Sequence, residues 1–381
     1  MTPPLHGLTV LDLSRVLAGP YCTMILGDLG ADVIKIEHPS GDDTRRWGPP
    51  FAGGESAYYL AVNRNKRSAV ADLKIAAGAA LVRRIAAGAD ILVENFRPGT
   101  LEKLGLGLDG LRAANPRLIT LTVSGMGASG PERDLPGYDF VVQATAGLMA
   151  ITGPVDGPPS KVGVAVVDLT TGMLAANAIL AALYARERSG AGQHIDISLL
   201  EAQVAWLANV GSAFLVTGEE PPRYGNAHAT IVPYQTFPAS DGEFALAVGN
   251  DGQWRQLCAV LGRPDLAEDA RFAANPLRVA NRAALIPLLE EHFRARPAAE
   301  WVAAIQAAGI PAGAVRSVGQ VLSDPQVLAR EMVVGVEHPT IGDLKVLGIP
   351  FKFSGTPAAI RRHPPLLGEH TAEVAGEYPE A

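Results

Sequence analysis

One acidic residue, Asp168, stands where a carboxylate could act as a nucleophile. It follows an apolar, β-branched run at 162–167 that predicts a strand, and an apolar helix is predicted over 172–188. Thr170 and Thr171 are candidate caps of that helix, so Asp168 would lie near the positive end of its dipole and stay ionised. An ionised carboxylate with few competing partners can attack an activated acyl group. Spacing alone also fits a simple N-cap, so both interpretations remain open here.

A second group of chemically useful side chains lies in a loop rich in Pro and Gly. This loop holds two adjacent arginines and a tryptophan: Arg45, Arg46 and Trp47. Guanidinium groups match carboxylates in geometry and charge, which favours anion recognition, although a solvated loop is an equal alternative. The neighbouring carboxylates Asp42 and Asp43 are expected to be solvated.

The elements that must position these residues alternate between strand and helix. Strands are predicted at 8–13, 32–37, 68–73, 90–94, 118–123 and 193–198, with helices between them. This order predicts an α/β fold with a doubly wound, Rossmann-like parallel sheet, in which ligands bind at the carboxyl ends of the strands. Only Gly19 stands where a dinucleotide fingerprint needs three glycines, which disfavours a nicotinamide or flavin dehydrogenase.

The composition changes after the last of these strands and indicates a second, smaller α+β domain. The predicted division is a large domain at 1–200 completed by about 333–381, a linker helix at 201–226, a small domain at 227–320 and a return linker at 321–332.

Bulk properties exclude several classes of function. The net charge of −7 argues against nucleic acid and anionic membranes as partners. Cys22 and Cys258, the two cysteines, indicate buried thiols in a reducing compartment. No secretory signal is predicted, and the most apolar stretch, at 173–185, is shorter than a membrane span, so we expect a cytoplasmic protein. Serine-hydrolase, zinc, Walker and paired-cysteine motifs are absent from the sequence, which leaves a carboxylate nucleophile as the leading enzymatic interpretation.

Several motifs together resemble the class III CoA-transferase family (CaiB/BaiF). They lie at 11–20, 29–37, 63–68, 93–99 and 136–139, and at Asp168 with Gly172. The resemblance implies that Asp168 is the nucleophile and forms first an aspartyl–acyl anhydride and then an aspartyl–CoA thioester. It also implies no permanently bound cofactor or metal, an acyl-CoA and a small carboxylic acid as substrates, and an interlocked homodimer.

The same resemblance implies a set of ligand contacts. CoA would contact Arg15, Val16, Leu17, Ala18, His38, Lys74, Asn95, Phe96, Lys103 and Tyr138. The small domain would supply a loop over the site, with Asn226, His228 and Thr230 as its candidate substrate residues. Leu17 and His38 depart from the residues of formyl-CoA transferases, which disfavours formyl or oxalyl specificity.

Within the family, the stretches at 42–51 and 228–235 resemble the type that transfers CoA between succinyl-CoA and glutarate. This likeness implies a dicarboxylic acid as acceptor, with its distal carboxylate held by Arg45 or Arg46 beside Trp47. Two alternatives remain. One is a 2-methylacyl-CoA racemase, although Tyr138 stands where that reaction needs a histidine. The other is a CoA-binding protein without catalysis.

Overall fold

The computed structural model describes residues 2–380, which form two compact units. The larger unit contains the chain up to Met149, Lys161–Glu219 and the chain from Pro325 onward. The smaller unit contains Ala150–Ser160 and Glu220–Asp324. These boundaries differ from the predicted ones, and the larger unit resumes at Pro325 and not at about 333. Most of the predicted linker helix belongs to the larger unit, and a segment at 150–160 joins the smaller one.

The strands, in chain order, are β1 (Thr9–Asp12), β2 (Asp32–Glu37), β3 (Phe51–Ala52), β4 (Glu55–Ser56), β5 (Lys66–Val70), β6 (Ile91–Glu94), β7 (Ile119–Ser124), β8 (His194–Ser198), β9 (Tyr234–Pro238), β10 (Glu243–Ala247), β11 (Ala312–Ala314), β12 (Val333–His338) and β13 (Gly342–Leu347). The helices are α1 (Ala18–Asp28), α2 (Ala57–Val62), α3 (Ala76–Gly88), α4 (Thr100–Lys103), α5 (Leu108–Ala114), α6 (Asp139–Thr145), α7 (Leu148–Ile151), α8 (Val166–Ser189), α9 (Leu199–Ala205), α10 (Ala208–Thr217), α11 (Asp251–Leu261), α12 (Pro264–Glu268), α13 (Asn275–Ala280), α14 (Arg282–Phe293), α15 (Ala298–Ala307), α16 (Val318–Leu322), α17 (Pro325–Ala329) and α18 (Thr371–Glu377).

The larger unit is built on a six-stranded parallel sheet, which confirms the predicted α/β class. Its strand order is β5-β2-β1-β6-β7-β8. Because the chain adds β2 and β5 on one side of β1 and then β6, β7 and β8 on the other, the order reverses between β1 and β6. Loops that leave the carboxyl ends of these two strands therefore diverge and open a crevice.

The two faces of the sheet carry separate apolar cores. Along β1, Val10 packs in the core shared with α1 and α8, whereas Leu11 packs in the core on the other face, shared with α3. This alternation of side chains, with apolar residues on both faces, is what a parallel sheet covered by helices requires.

The strand predicted before Asp168 does not form. The run at 162–165 pairs with no strand, and α8 begins at Val166, six residues earlier than predicted. β-Branched residues indicate a strand only where a neighbouring strand offers a ladder, and here none does.

The early start makes α8 24 residues long, so the expectation that the most apolar stretch is too short for a membrane span is wrong on length. By length and composition alone α8 could cross a membrane, and α9 with α10 passes the same test only if this pair, bent by 75°, counts as one span. However, 56% of the most apolar window of α8 is buried inside the protein. A core helix of a soluble protein has the same properties.

The chain from Pro325 onward returns to the larger unit and is held there by polar residues at the start of β5. Asn65 donates to the carbonyl of Ala359 and accepts from the N–H groups of Arg361 and Arg362. The neighbouring Arg67 forms ion pairs with Asp32, Glu373 and Glu377. These contacts assign a structural role to the motif at 63–68.

The smaller unit is α+β, with its own sheet of order β11-β10-β9 and its own apolar core. The core is centred on Phe237, Phe293, Trp254 and Trp301, all of which are buried.

Candidate active site

At the crevice between β1 and β6, the side chain of Asn95 joins the loop that follows β6 to the loop that follows β1. The amide of Asn95, just after β6, accepts from the N–H of Arg15 at 2.9 Å and donates to the Arg15 carbonyl at 2.7 Å. The loop after β1 is therefore held against the loop after β6. This is the place in the sheet where open α/β proteins bind ligands.

A cavity of about 180 Å³ occupies this position. It brings together eight of the residues implied by the family resemblance: Arg15, Val16, Leu17, Ala18, Asn95, Phe96, Tyr138 and Asp168. Residues separated by more than 150 positions in sequence therefore share one small concave surface.

Asp168 reaches the cavity from the first turn of α8. One turn further on, Gly172 lies so close to α1 that a Cβ atom there would be 2.6 Å from the carbonyl oxygen of Ala18. A side chain at this position would force the two helices apart. The glycine therefore keeps the carboxylate of Asp168 beside the N-terminus of α1.

The cap of α8 comes from the motif at 136–139, in which the sequence alone assigned Asp139 no role of its own. Asp139 accepts hydrogen bonds from the N–H groups of Val167 at 2.8 Å and of Asp168 at 3.4 Å. Thr171 instead donates to the carbonyl of Val167, and the buried Thr170 hydroxyl has no partner among the described residues, so the predicted threonine caps are wrong. The N-cap interpretation of Asp168 is wrong too, because no described residue donates to its carboxylate.

The expected ionisation state of Asp168 also needs correction. Burial, together with the nearby carboxylate of Asp139, raises the pKa of Asp168 to about 7. The loss of solvation and the charge of Asp139 therefore both disfavour the ionised form of Asp168. Burial and the charge of Asp168 also raise the pKa of Tyr58 to about 12, so this phenol stays neutral beside the carboxylate.

The N-terminus of α1, of which Leu17 and Ala18 line the same cavity, carries unpaired backbone donors. Among residues 2–380, no acceptor pairs with the backbone N–H groups of Leu17, Ala18 or Gly19, and no side chain caps the helix. Unpaired N–H groups at a helix N-terminus favour negative charge. The arrangement suits an oxyanion that develops next to Asp168.

A second cavity, of about 290 Å³, adjoins the first and shares Arg15 and Phe96 with it. His38 and Lys74 line this second cavity. Lys103 lines neither of the two. Two neighbouring cavities fit a ligand with two parts, one placed at Asp168 and the other between His38 and Lys74.

Arg45 is not available for a substrate carboxylate. Its guanidinium, 8% exposed, forms two hydrogen bonds with Glu37 and further bonds with Glu55 and Tyr59. Only Arg46 of the two arginines keeps an exposed guanidinium, which pairs with Asp43. Trp47 packs edge-on against Tyr58, with ring centroids 5.3 Å apart. Of the two arginines expected to bind the distal carboxylate of the acceptor, only Arg46 therefore remains a candidate.

The predicted substrate residues of the second domain lie in the smaller unit. Asn226 donates to Thr236, and the His228 ring packs against Tyr234 at 5.2 Å. The N–H of Thr230 donates to His228 at 3.1 Å. The carbonyls of 228 and 229 both accept from the guanidinium of Arg282, so this loop is tied to α14.

Asp42 contradicts its prediction as a solvated residue. It is buried and pairs with Lys35 at 3.0 Å. The available signal was Lys35 itself: a lysine within an apolar strand has to find a buried carboxylate. Asp43, by contrast, is half-exposed, as expected.

The chain resembles known proteins over nearly its whole length. The family model described as CoA-transferase family III matches residues 5–371. The chain is 43% identical over 98% of its length to human succinyl-CoA:glutarate CoA-transferase, of which the match covers 86%. It is 46% identical, again over 98% of its length, to succinate–glutarate CoA-transferase of Agrobacterium fabrum, of which the match covers 96%.

Among solved structures, a CaiB/BaiF family protein from Brucella suis superposes with a TM-score of 0.90 and 45% identity, covering 100% of both chains. The family model covers nearly all of the chain. The protein belongs to the CoA-transferase family III.

Proposed function

We propose that this enzyme transfers CoA from succinyl-CoA to a dicarboxylic acid, with glutarate as the acceptor, by covalent catalysis at Asp168. The relatives named for succinyl-CoA and glutarate, at 43% and 46% identity over nearly the whole chain, support the choice of substrates. One observation carries the mechanism: the carboxylate of Asp168 shares a small cavity with the free N–H groups that begin α1.

The chemistry divides into four acyl transfers that balance without ATP. The Asp168 carboxylate attacks the thioester carbonyl, the C–S bond breaks, and a mixed anhydride and CoA thiolate result. The thiolate then attacks the Asp168 carbonyl, which releases succinate and leaves an aspartyl–CoA thioester. The acceptor carboxylate repeats the two steps in reverse order, which frees Asp168 and yields the new acyl-CoA.

Each of these steps passes through a tetrahedral oxyanion. We assign the N–H groups of Leu17 and Ala18 as its donors because both residues line the cavity and neither group is otherwise paired. The neutral Tyr58 and the burial of Asp168 keep the immediate surroundings of the anhydride poor in water.

The test is direct detection of the covalent intermediate. The wild-type enzyme is mixed with succinyl-CoA and quenched, and its intact mass and peptides are measured. We expect a CoA adduct on the peptide that contains Asp168, and hydroxylamine should modify the same residue. Asp168→Ala should lose the adduct and at least 10³-fold of the transfer rate. An Asp168→Ala protein with full transfer activity would refute the proposal.

The same preparation separates the two alternatives. Solvent deuterium that enters the α-carbon of a 2-methylacyl-CoA, without any acceptor acid, would favour the racemase. CoA binding without turnover across a panel of donors and acceptors would favour a non-catalytic protein.

We also propose a homodimer as the working form. The support is α10, which carries no buried residue although it is apolar: Leu215 is 84% exposed and Val216 is 85% exposed. An exposed apolar helix needs a surface that covers it, and a second copy of the chain would supply one.

Sedimentation should give twice the chain mass of 39.8 kDa, and Leu215→Glu with Val216→Glu should shift the protein to monomer or aggregate. Glu219→Gln is the matched control outside the apolar face. A wild-type monomer would contradict the proposal.

A further inference from the structure

The loop between β1 and α1 is held by buried charges as well as by Asn95. Lys35 donates to the carbonyl of Ser14 at 2.8 Å and to the carboxylate of Asp42 at 3.0 Å. Asp42 in turn accepts from the N–H of Val16 at 3.3 and 3.4 Å. The two charged side chains are 1% and 0% exposed. This ion pair therefore holds the loop through two contacts, one at the carbonyl of Ser14 and one at the N–H of Val16.

A second buried pair supports the same loop from the strand side. Asp12 accepts from the N–H of Ser14 at 2.9 Å and from its hydroxyl at 2.5 Å. Lys66 bonds to Asp12 at 3.1 Å and to the carbonyl of Pro20 at 2.9 Å. Burial alone would raise the pKa of Asp12, but Lys66 and Lys35 lower it to about 2, so the charge persists. Four alternating charges thus lie beneath the loop.

The loop needs this support because Val16 adopts an unfavourable backbone conformation. Its φ is +71°, in the left-handed region that β-branched residues avoid. Such a conformation persists only where the surroundings dictate it. Directly after Val16 come the two N–H groups assigned to the oxyanion, those of Leu17 and Ala18. The direction of both depends on the turn made at Val16.

We propose that Lys35 and Asp42 are positioning residues for acyl transfer, which hold Val16 in its left-handed turn and thereby aim the N–H groups of Leu17 and Ala18 at Asp168. This inference rests on the proposed function, since it assumes that Asp168 is acylated. The competing explanation is that the ion pair stabilises the fold and nothing else. The two explanations differ in what they predict for kcat at equal stability.

The experiment compares two Asp→Asn variants of buried ion pairs. Asp42→Asn removes the charge that faces Lys35 and keeps the size of the side chain. Asp28→Asn is the control, because Asp28 is equally buried and pairs with Arg64 at the far end of α1, away from the loop. Thermal unfolding, kcat, KM for succinyl-CoA and the single-turnover rate of Asp168 acylation are measured for both.

We expect Asp42→Asn to lower kcat and the acylation rate about 10- to 100-fold, while KM changes less than about threefold, because misaligned donors weaken transition-state binding more than substrate binding. Asp28→Asn should keep kcat within about threefold of wild type, whatever its loss of thermal stability. Equal losses of kcat in the two variants would overturn the proposal.

A rescue variant tests whether Lys35 and Asp42 act by holding the backbone turn at Val16. Glycine adopts positive φ at no steric cost, so Val16→Gly combined with Asp42→Asn should recover at least about fivefold of the lost kcat. No recovery would contradict a role through Val16.

If Asp42→Asn does not fold, Lys35→Met with Asp42→Asn removes both charges and leaves none unpaired. This double variant should then fold and show the same loss of kcat, and normal kcat would overturn the proposal. Absence of the Asp168 adduct in wild type would instead refute the proposed function.

Discussion

The carboxylate of Asp168 lies in surroundings that have opposite effects on its reactivity. No described residue donates a hydrogen bond to the carboxylate, so its ionised form is free to react as a nucleophile. Burial and the charge of Asp139, however, raise the pKa of Asp168 to about 7. The free enzyme is therefore poised between the protonated and ionised forms near neutral pH. This balance has consequences for rate and for stability.

The acylation rate should depend on pH with a midpoint near 7. Below that pH, the ionised fraction of Asp168 falls, so the single-turnover rate should drop about tenfold per pH unit and level off above it. Quenched-flow mass spectrometry of the Asp168 adduct from pH 5 to 8 measures this. Asp139→Asn removes the neighbouring charge and should move the midpoint to lower pH. A flat wild-type profile over this range would show that Asp168 is already ionised.

The same shift makes Asp168 a cost to stability at high pH. Its pKa is about 7 in the folded enzyme and 3.8 ordinarily, so between these values the folded state holds a proton that the unfolded state has released. Stability therefore falls as pH rises through this window. Asp168→Asn should be more stable than wild type by on the order of 1–3 kcal/mol at pH 8, with a smaller difference at pH 5. Urea unfolding at both pH values measures this. Glu219→Gln, at an exposed site, should show no such difference, and an Asp168→Asn protein less stable at pH 8 would contradict the expectation.

At the scale of elements, the close approach of α8 to α1 decides where the carboxylate and the helix N-terminus meet. The approach depends on Gly172, where an added Cβ would lie 2.6 Å from the carbonyl oxygen of Ala18 and 3.1 Å from the ring of Tyr21.

Gly172→Val should separate the two helices because its side chain has no space against the backbone of α1. We expect a loss of about 1–3 kcal/mol in stability and at least a tenfold loss in kcat, with a smaller effect for Gly172→Ala. Urea unfolding and steady-state kinetics measure the two effects. Gly163→Ala is the control, because a Cβ there meets no atom within 4 Å. A Gly172→Val enzyme with wild-type kcat would show that the helix spacing does not control the site.

At the scale of the whole molecule, the chain after Pro325 completes the larger unit from a distance of more than 250 residues. Asn65 is central to this contact: it binds Asp28, the carbonyl of Ala359 and two N–H groups of the returning segment. Its own φ is +60°, which asparagine tolerates better than most residues.

Asn65→Ala should loosen the returning segment, because several hydrogen bonds are lost and alanine disfavours the positive φ. We expect a loss of about 2–4 kcal/mol and faster proteolysis between 355 and 370. Limited proteolysis with mass mapping measures the second effect. Asn115→Ala, which removes an asparagine bonded to the carbonyls of Ala86 and Ala89, should not expose that segment. Unchanged cleavage in Asn65→Ala would contradict this role.

The sequence by itself determined the α/β class, the parallel sheet and the family, and it singled out Asp168 as the candidate nucleophile. Alternating apolar strands and helices report local burial, and family motifs such as the one at 136–139 are contiguous in the chain. Tertiary structure decided the rest. The start of α8 depends on Asp139, which is distant in sequence, and the pKa of Asp168 depends on burial that no local pattern encodes. Of the two arginines expected to hold the substrate, Arg45 instead bonds to Glu37, Glu55 and Tyr59, because a buried guanidinium must satisfy its donors within the protein.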